Sequence, residues 1–321
     1  MGRAFKGVVT TTAYFIKKIA MKHFFLIASL LAGTFLAAQQ QPFFDSLGII
    51  AKGGEPLRKL AGGFAFTEGP AADAQGRVYF TDQPNDRIWR YNLDGTLTEF
   101  KRKSGRANGL AIDANGSIIA CADENNELWS ITPKGRVKVI LGKVGGKKLN
   151  GPNDLWIDKK GGIYFTDPYY QRDYWTRKAP DIKEQAVYYL PKGAQQPIVV
   201  SDELVKPNGI TGSEDGRYLF VADIGDNKTY KFLIKEDGTL SEKTLFVPQG
   251  SDGITLDEKG NLYLTKGGIT VYDPRGRKSA YIPVPEGTSN VCFGGKDHDL
   301  LFITARTSVY GVKTTVKGAG F

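Results

Sequence analysis

The sequence predicts an all-β fold, a six-bladed β-propeller with four antiparallel strands per blade. Three observations predict it: a strand–turn–strand unit recurs six times, further strands follow each unit, and one polar position opens every copy. With 41% hydrophobic and 12% aromatic residues the chain can bury a sizeable core, and its 39 glycines suit many tight turns.

The copies run from Glu68–Asp73 to Val78–Asp82, from Asn108–Asp113 to Ile118–Asp123, and from Asn153–Asp158 to Ile163–Asp167. They continue from Asn208–Thr211 to Tyr218–Asp223, from Asp252–Asp257 to Leu262–Thr265, and from Asn290–Phe293 to Leu300–Ala305. The Asp-x-x-Gly connections carry the turn chemistry of hairpins, and each second strand closes on a small polar residue. A third strand follows nearly every pair (Ile88–Tyr91 and Val187–Leu190, for instance), and a fourth follows most. The sixth copy has no clear outer strand after Val316, whereas Pro56–Ala61 stands unassigned before the first. That segment is expected to complete the last blade, closing the ring with both termini and protecting its edges.

Residues 1–40 read as a targeting segment ahead of one propeller domain spanning 41–321. Met21-Lys22-His23 opens an apolar run, Phe24–Ala38, which ends in small residues before Gln39-Gln40-Gln41. This is the order of a signal peptide, with Met21 as a credible true start, and the run is too short to span a bilayer. The expectation is an exported protein, periplasmic or secreted, with no membrane span in the mature chain; an uncleaved anchor is the alternative. The formal charge of +9 owes five cations to the first 22 residues, and the rest is close to balanced with no basic block, so no nucleic-acid partner is expected. Cys121 and Cys292 lie far apart in strand-like runs and are expected to be free, buried thiols.

Aligned copies place Glu68, Asn108, Asn153, Asn208, Asp252 and Asn290 at one position. First strands of a propeller line its central channel, so these six form a ring. Polar groups there need something to satisfy them, and hard oxygen donors without thiolate or imidazole select calcium or magnesium. Calcium is expected, with magnesium, manganese or zinc as alternatives. Asn and Asp before Gly also favour turns, which is the competing reading for Asn108 and Asn290. His298, the single histidine beyond the targeting segment, lies in the Gly295–Asp299 turn and is expected to be an exposed turn residue. A Ser-His-Asp triad, Cys-His pair or His-ligated zinc is therefore not expected, and any hydrolysis is expected to use a carboxylate and the metal. Tyr169 and Tyr170, in the aromatic insertion after Asp167, are candidate substrate contacts if that loop overhangs the channel mouth. Arg106, two residues before Asn108, is another.

Thr67-Glu-Gly-Pro70, Gly151-Pro-Asn-Asp-Leu155, Lys206-Pro-Asn-Gly-Ile210, Ser251-Asp-Gly-Ile254 and Ile303-Thr-Ala-Arg306 resemble the motifs of the senescence marker protein (regucalcin)/gluconolactonase family of six-bladed propellers. The resemblance covers about Glu68 to Lys313. It implies calcium-dependent hydrolysis of a lactone; a sugar-derived lactone and a monomeric protein are expected. It implies metal ligation by Glu68, Asn153, Asn208 and Asp252, with Asp252 as candidate general base, and leaves Asn108 and Asn290 as channel-lining or substrate contacts. Metal-bound hydroxide is the alternative to Asp252 as base. Two positions depart from the family: Cys121 is followed by Ala122-Asp123 where many bacterial members carry an acid and a histidine, and Gly151 stands where sugar-binding members often have Arg. Alternative functions on the same scaffold are a phosphotriesterase of the diisopropyl fluorophosphatase type and a non-enzymatic binding propeller with calcium as a structural plug.

Overall fold

The computed structural model describes residues 41–50 and 56–320; the expected targeting segment lies outside them. The described residues form 25 strands and no helix. Strands β3–β6 (Thr67–Ala72, Val78–Asp82, Arg87–Tyr91, Leu97–Arg102) make blade one and β7–β10 (Ala107–Ile112, Ile118–Ala122, Glu127–Ile131, Val137–Leu141) make blade two. Blade three is β11–β14 (Leu155–Ile157, Ile163–Asp167, Ala186–Leu190, Ile198–Ser201) and blade four is β15–β18 (Pro207–Gly212, Tyr218–Asp223, Lys228–Ile234, Leu240–Val247). Blade five is β19–β22 (Ile254–Leu256, Leu262–Thr265, Gly268–Tyr272, Lys278–Pro283), and blade six is β23–β25 (Thr288–Gly294, Leu300–Ala305, Ser308–Lys313) completed by β2 (Arg58–Gly62).

The expected closure is therefore present: β2 lies antiparallel on β25, with Arg58 opposite Gly311 and Gly62 opposite Ser308. A second tie is absent from the sequence reading. The two-residue strand β1 (Phe44–Asp45) pairs with β22 and gives blade five a fifth strand. Two residues carry no readable alternation, which is why the pattern did not show it.

The Asp-x-x-Gly connections work as local clamps. Asp73, Asp113, Asp158 and Asp257 each accept backbone N–H groups two and four residues on, at 2.8–3.1 Å. The aspartate thus satisfies the turn's own donors, as Asx turns do.

Apolar burial is divided among the seams between blades. Tyr79 and Ile88 pack on Leu110 and Ile118 between blades one and two. Cys121 and Leu128 pack with Phe165 and Tyr188 between two and three. The last seam joins Phe80 of blade one to Phe302 and Val309 of blade six, so closing the ring buries the same kind of surface as every other seam. Both thiols are free; Cys121 is buried and Cys292 only partly so. His298 sits in its turn at φ 56°, half-buried where exposure was expected, because its carbonyl accepts the Gly318 N–H from the C-terminal segment at 3.0 Å.

Candidate functional site on the propeller axis

The inner strands β3, β7, β11, β15, β19 and β23 each pack on the next, and β23 packs on β3. The predicted ring residues all lie at this inner position. Glu68, Asn108, Asn208 and Asn290 are on strands, while Asn153 and Asp252 sit just ahead of β11 and β19. Five are buried, and Asp252 keeps partial exposure.

The ring is shaped by bulges. Register slips between Glu68 and Ala71, Ala107 and Leu110, Pro207 and Ile210, and Thr288 and Asn290. A bulge bends its strand and re-aims a side chain, and here it does so at the ring position of four blades. The glycines that follow serve close approach between neighbouring blades: a Cβ on Gly253 would lie 2.1 Å from Asn290 Oδ1, and one on Gly109 would lie 2.5 Å from Asp154 Oδ1. The small polar endings of the second strands stitch the same level together. Thr81 Oγ1 donates to the Asn108 carbonyl at 3.1 Å, Thr166 Oγ1 to that of Asn208 at 2.8 Å, and Thr265 Oγ1 to that of Ser289 at 2.9 Å. The carbonyls of Asn108, Asn208 and Ser289, the last beside Asn290, are thus tied to the second strand of the neighbouring blade.

The acids lie close enough to feel one another. Burial, and then the charge of Asp252, raises the Glu68 carboxyl well above the usual range, with Asp154 adding to the rise; Gly69 N–H donates to its Oε2 at 3.0 Å. Burial also raises Asp252, opposed by the Asn208 amide and the Arg172 guanidinium. Asp154 was not singled out in the sequence, because the repeat alignment selected one residue per copy and chose its neighbour Asn153. It is buried, its pKa is pushed up to about 7 by desolvation, and its Oδ2 accepts from Asn290 Nδ2 at 3.3 Å. The signal that could have found it is the pair of polar residues, Asn153-Asp154, at the start of an otherwise apolar strand.

The insertion between β12 and β13, residues 168–185, supplies the remaining groups. Tyr170 hydroxyl accepts a hydrogen bond from Asn208 Nδ2 at 3.0 Å, and Lys206 Nζ lies 4.2 Å from the centre of its ring. Tyr169 turns into the loop itself, donating to Gln171 Oε1 and packing 5.8 Å from the Trp175 ring. Arg106 is placed beside the mouth: it donates to the Pro84 carbonyl at 2.6 Å and lies 4.6 Å from the centre of the Tyr174 ring. The structure therefore brings Glu68, Asn208, Asp252, Asn290 and Tyr170 into one connected set with Asp154 and Arg172, and places Tyr169 and Arg106 in its loop wall.

This donor set fits a hard divalent cation. Glu68 lies near enough to Asp252 and Asp154 to feel both charges, and among the described residues neither Glu68 nor Asp154 has an ion-pair partner. Buried like charges of this kind need an external cation or protons. No three His, Cys, Asp or Glu side chains among the described residues group as a metal site, so a site here must use amide oxygens as well. Asn208 suits that use: Tyr170 and Asp252 take its amide hydrogens, which leaves its oxygen for a ligand.

Fold and site together define a six-bladed propeller with an acidic oxygen-donor ring on its axis. The SMP-30/Gluconolactonase/LRE-like description matches residues 66–307. The chain belongs to that family. A gluconolactonase of Zymomonas mobilis is 28% identical over 310 residues, covering 86% of each chain. A solved structure of a Xanthomonas campestris gluconolactonase is 25% identical with a TM-score of 0.77, covering 87% of this chain and 99% of that one. The fold alone is shared with a calcium-binding regucalcin structure from Agrobacterium tumefaciens, at 19% identity and TM-score 0.68 over 83% of this chain and 96% of that one.

Proposed function

We propose that this protein is an exported, calcium-dependent lactonase acting on a sugar-derived lactone. The observation that carries the reading is the axial ring, in which Glu68 feels the charge of Asp252, Asn208 bonds to Asp252, and no cation among the described residues pairs with Glu68. Glu68, Asn153, Asn208 and Asp252 would hold the cation. When bound, it supplies a Lewis acid for the lactone carbonyl.

The chain's own groups do the rest. Asp252 is the partly open acid of the set, so it can reach an attacking water and take its proton. Burial raises its pKa in the metal-free protein, and ligation of the cation would return it to the ionised form that a base needs. Arg172 opposes that rise and keeps the ionised form accessible. The Tyr170 hydroxyl, raised to about 12 by burial, stays protonated and can donate to a substrate oxygen. Asn290, through Asp154, holds the far side of the ring.

The test is hydrolysis of a panel of sugar and aliphatic lactones, before and after chelation and with calcium added back. Activity that disappears with chelator, returns with calcium and is lost in Glu68→Gln supports the reading. Calcium-loaded protein inert on every lactone overturns it in favour of phosphotriester hydrolysis or a binding role.

A further inference from the structure

Three repeats end their second strand on an aspartate with a common duty. Asp82 accepts the N–H groups of Ala65 and Phe66, Asp167 those of Asn150 and Gly151, and Asp223 those of Val205 and Lys206, at 2.7–3.1 Å. Each thereby brackets the segment leading into its own inner strand. In blade two the register sets Ala122 at that place, since Ala107 faces Ala122 as Thr67 faces Asp82. The corresponding N–H, that of Arg106, goes to Asp86 instead, at 2.8 Å. Asp123, one residue further on and 1% exposed, is released from the duty its sequence position implies.

Its carboxylate turns to the insertion of blade three. Arg172 Nε donates to Asp123 Oδ2 at 2.8 Å, the Tyr174 hydroxyl donates to the same oxygen, and Gln83 Nε2 joins at 3.2 Å. The Asp123 carbonyl accepts from Trp175 Nε1 at 2.9 Å. Room for the contact comes from Gly151, at φ 150°, where a Cβ would lie 2.7 Å from Asp123 Oδ1 and 3.0 Å from the Trp175 ring. Two residues before Arg172, Tyr170 meets Asn208 of the ring.

We propose that Asp123 is a positioning residue: it latches the 168–185 loop onto blade two and so holds Tyr170 against Asn208 at the channel mouth. The latch is a charge-assisted bond to Arg172 reinforced by Tyr174 and Trp175, in a place where a lost partner is felt strongly. Only its kinetic consequence rests on the lactonase reading.

The experiment uses the full chain with calcium and compares wild type, Asp123→Asn and Tyr174→Phe. Limited trypsin digestion is followed by mass at Arg172, Arg177 and Lys178, alongside lactone kinetics and thermal unfolding. The expected result is cleavage in the loop about ten-fold faster in both variants, in proportion to its local opening. It comes with a fall in kcat/KM of similar size and an unchanged calcium affinity. If Asp123→Asn loses its global fold, Tyr174→Phe, which leaves the blade-two acid in place, decides. Wild-type cleavage rates in the folded variants overturn the latch whatever the kinetics show. Faster cleavage with unchanged turnover overturns the positioning of Tyr170. Faster cleavage in a protein inert on every lactone upholds the latch and removes the lactonase reading alone.

Discussion

Asp223 and Glu68 are both buried acids at the inner ends of blades, yet their surroundings differ in kind. Asp223 accepts four backbone N–H groups, from Val205, Lys206, Gly225 and Asp226, at 2.7–3.2 Å. Glu68 accepts one, from Gly69, and faces two further acids. The first arrangement ties chain segments together and stabilises the fold. The second costs stability and leaves the charge that, on the proposed function, a cation neutralises. A repeat protein can thus carry a buried carboxylate that its own backbone satisfies in one place and one that its backbone leaves nearly bare in another, and the count of backbone N–H donors distinguishes them.

Removing charge from the two acids should separate the roles. Glu68→Gln is expected to lower lactone turnover by about a thousand-fold while leaving the metal-free protein as stable as wild type or more so, read by kinetics and thermal unfolding. Asp223→Ala should do the reverse. Stranding four buried donors should cost about 3 kcal/mol, measured by denaturant titration, with kcat changed only through the folded fraction. Equal stability losses in the two variants would erase the distinction.

The pH response sharpens the same contrast. Glu68, Asp154 and Asp252 all have folded-state pKa values above their unfolded ones, so the folded state holds more protons than the unfolded. The stability this confers is present at low pH and is lost as pH rises through the folded values. For Asp154 the window runs from its ordinary 3.8 to about 7. Chelated protein should therefore melt at progressively lower temperature from about pH 4 to pH 7, with Asp154→Asn flattening the slope. Calcium should reverse the trend, because a cation displaces those protons and binds more tightly as pH rises. The smallest effect is expected at the loop wall: Tyr169→Phe should change kcat/KM by about two-fold or less, whereas Tyr170→Phe should change it several-fold, since only Tyr170 touches the ring. Independently, mass analysis of exported protein is expected to find an N-terminus just beyond Ala38.

Repeat spacing, turn aspartates and the opening polar residue were legible because they are local, periodic properties of the chain. They determined the six blades, the closing strand near Arg58 and the six ring positions. What folding alone decided was which of the repeat's polar residues are already satisfied. Asp123 reads in the sequence as one more strand-ending aspartate, yet a one-residue offset in register sends it to Arg172 and Tyr174. Asp154 reads as the neighbour of a ligand, yet Asn290, more than a hundred residues away, meets it across the axis. Tyr169 and Tyr170 are indistinguishable in the sequence, and the path of the loop points one inward and one at Asn208. Spacing along a chain reports backbone geometry. Satisfaction of a buried polar group depends on partners from other blades, and only the closed ring brings those together.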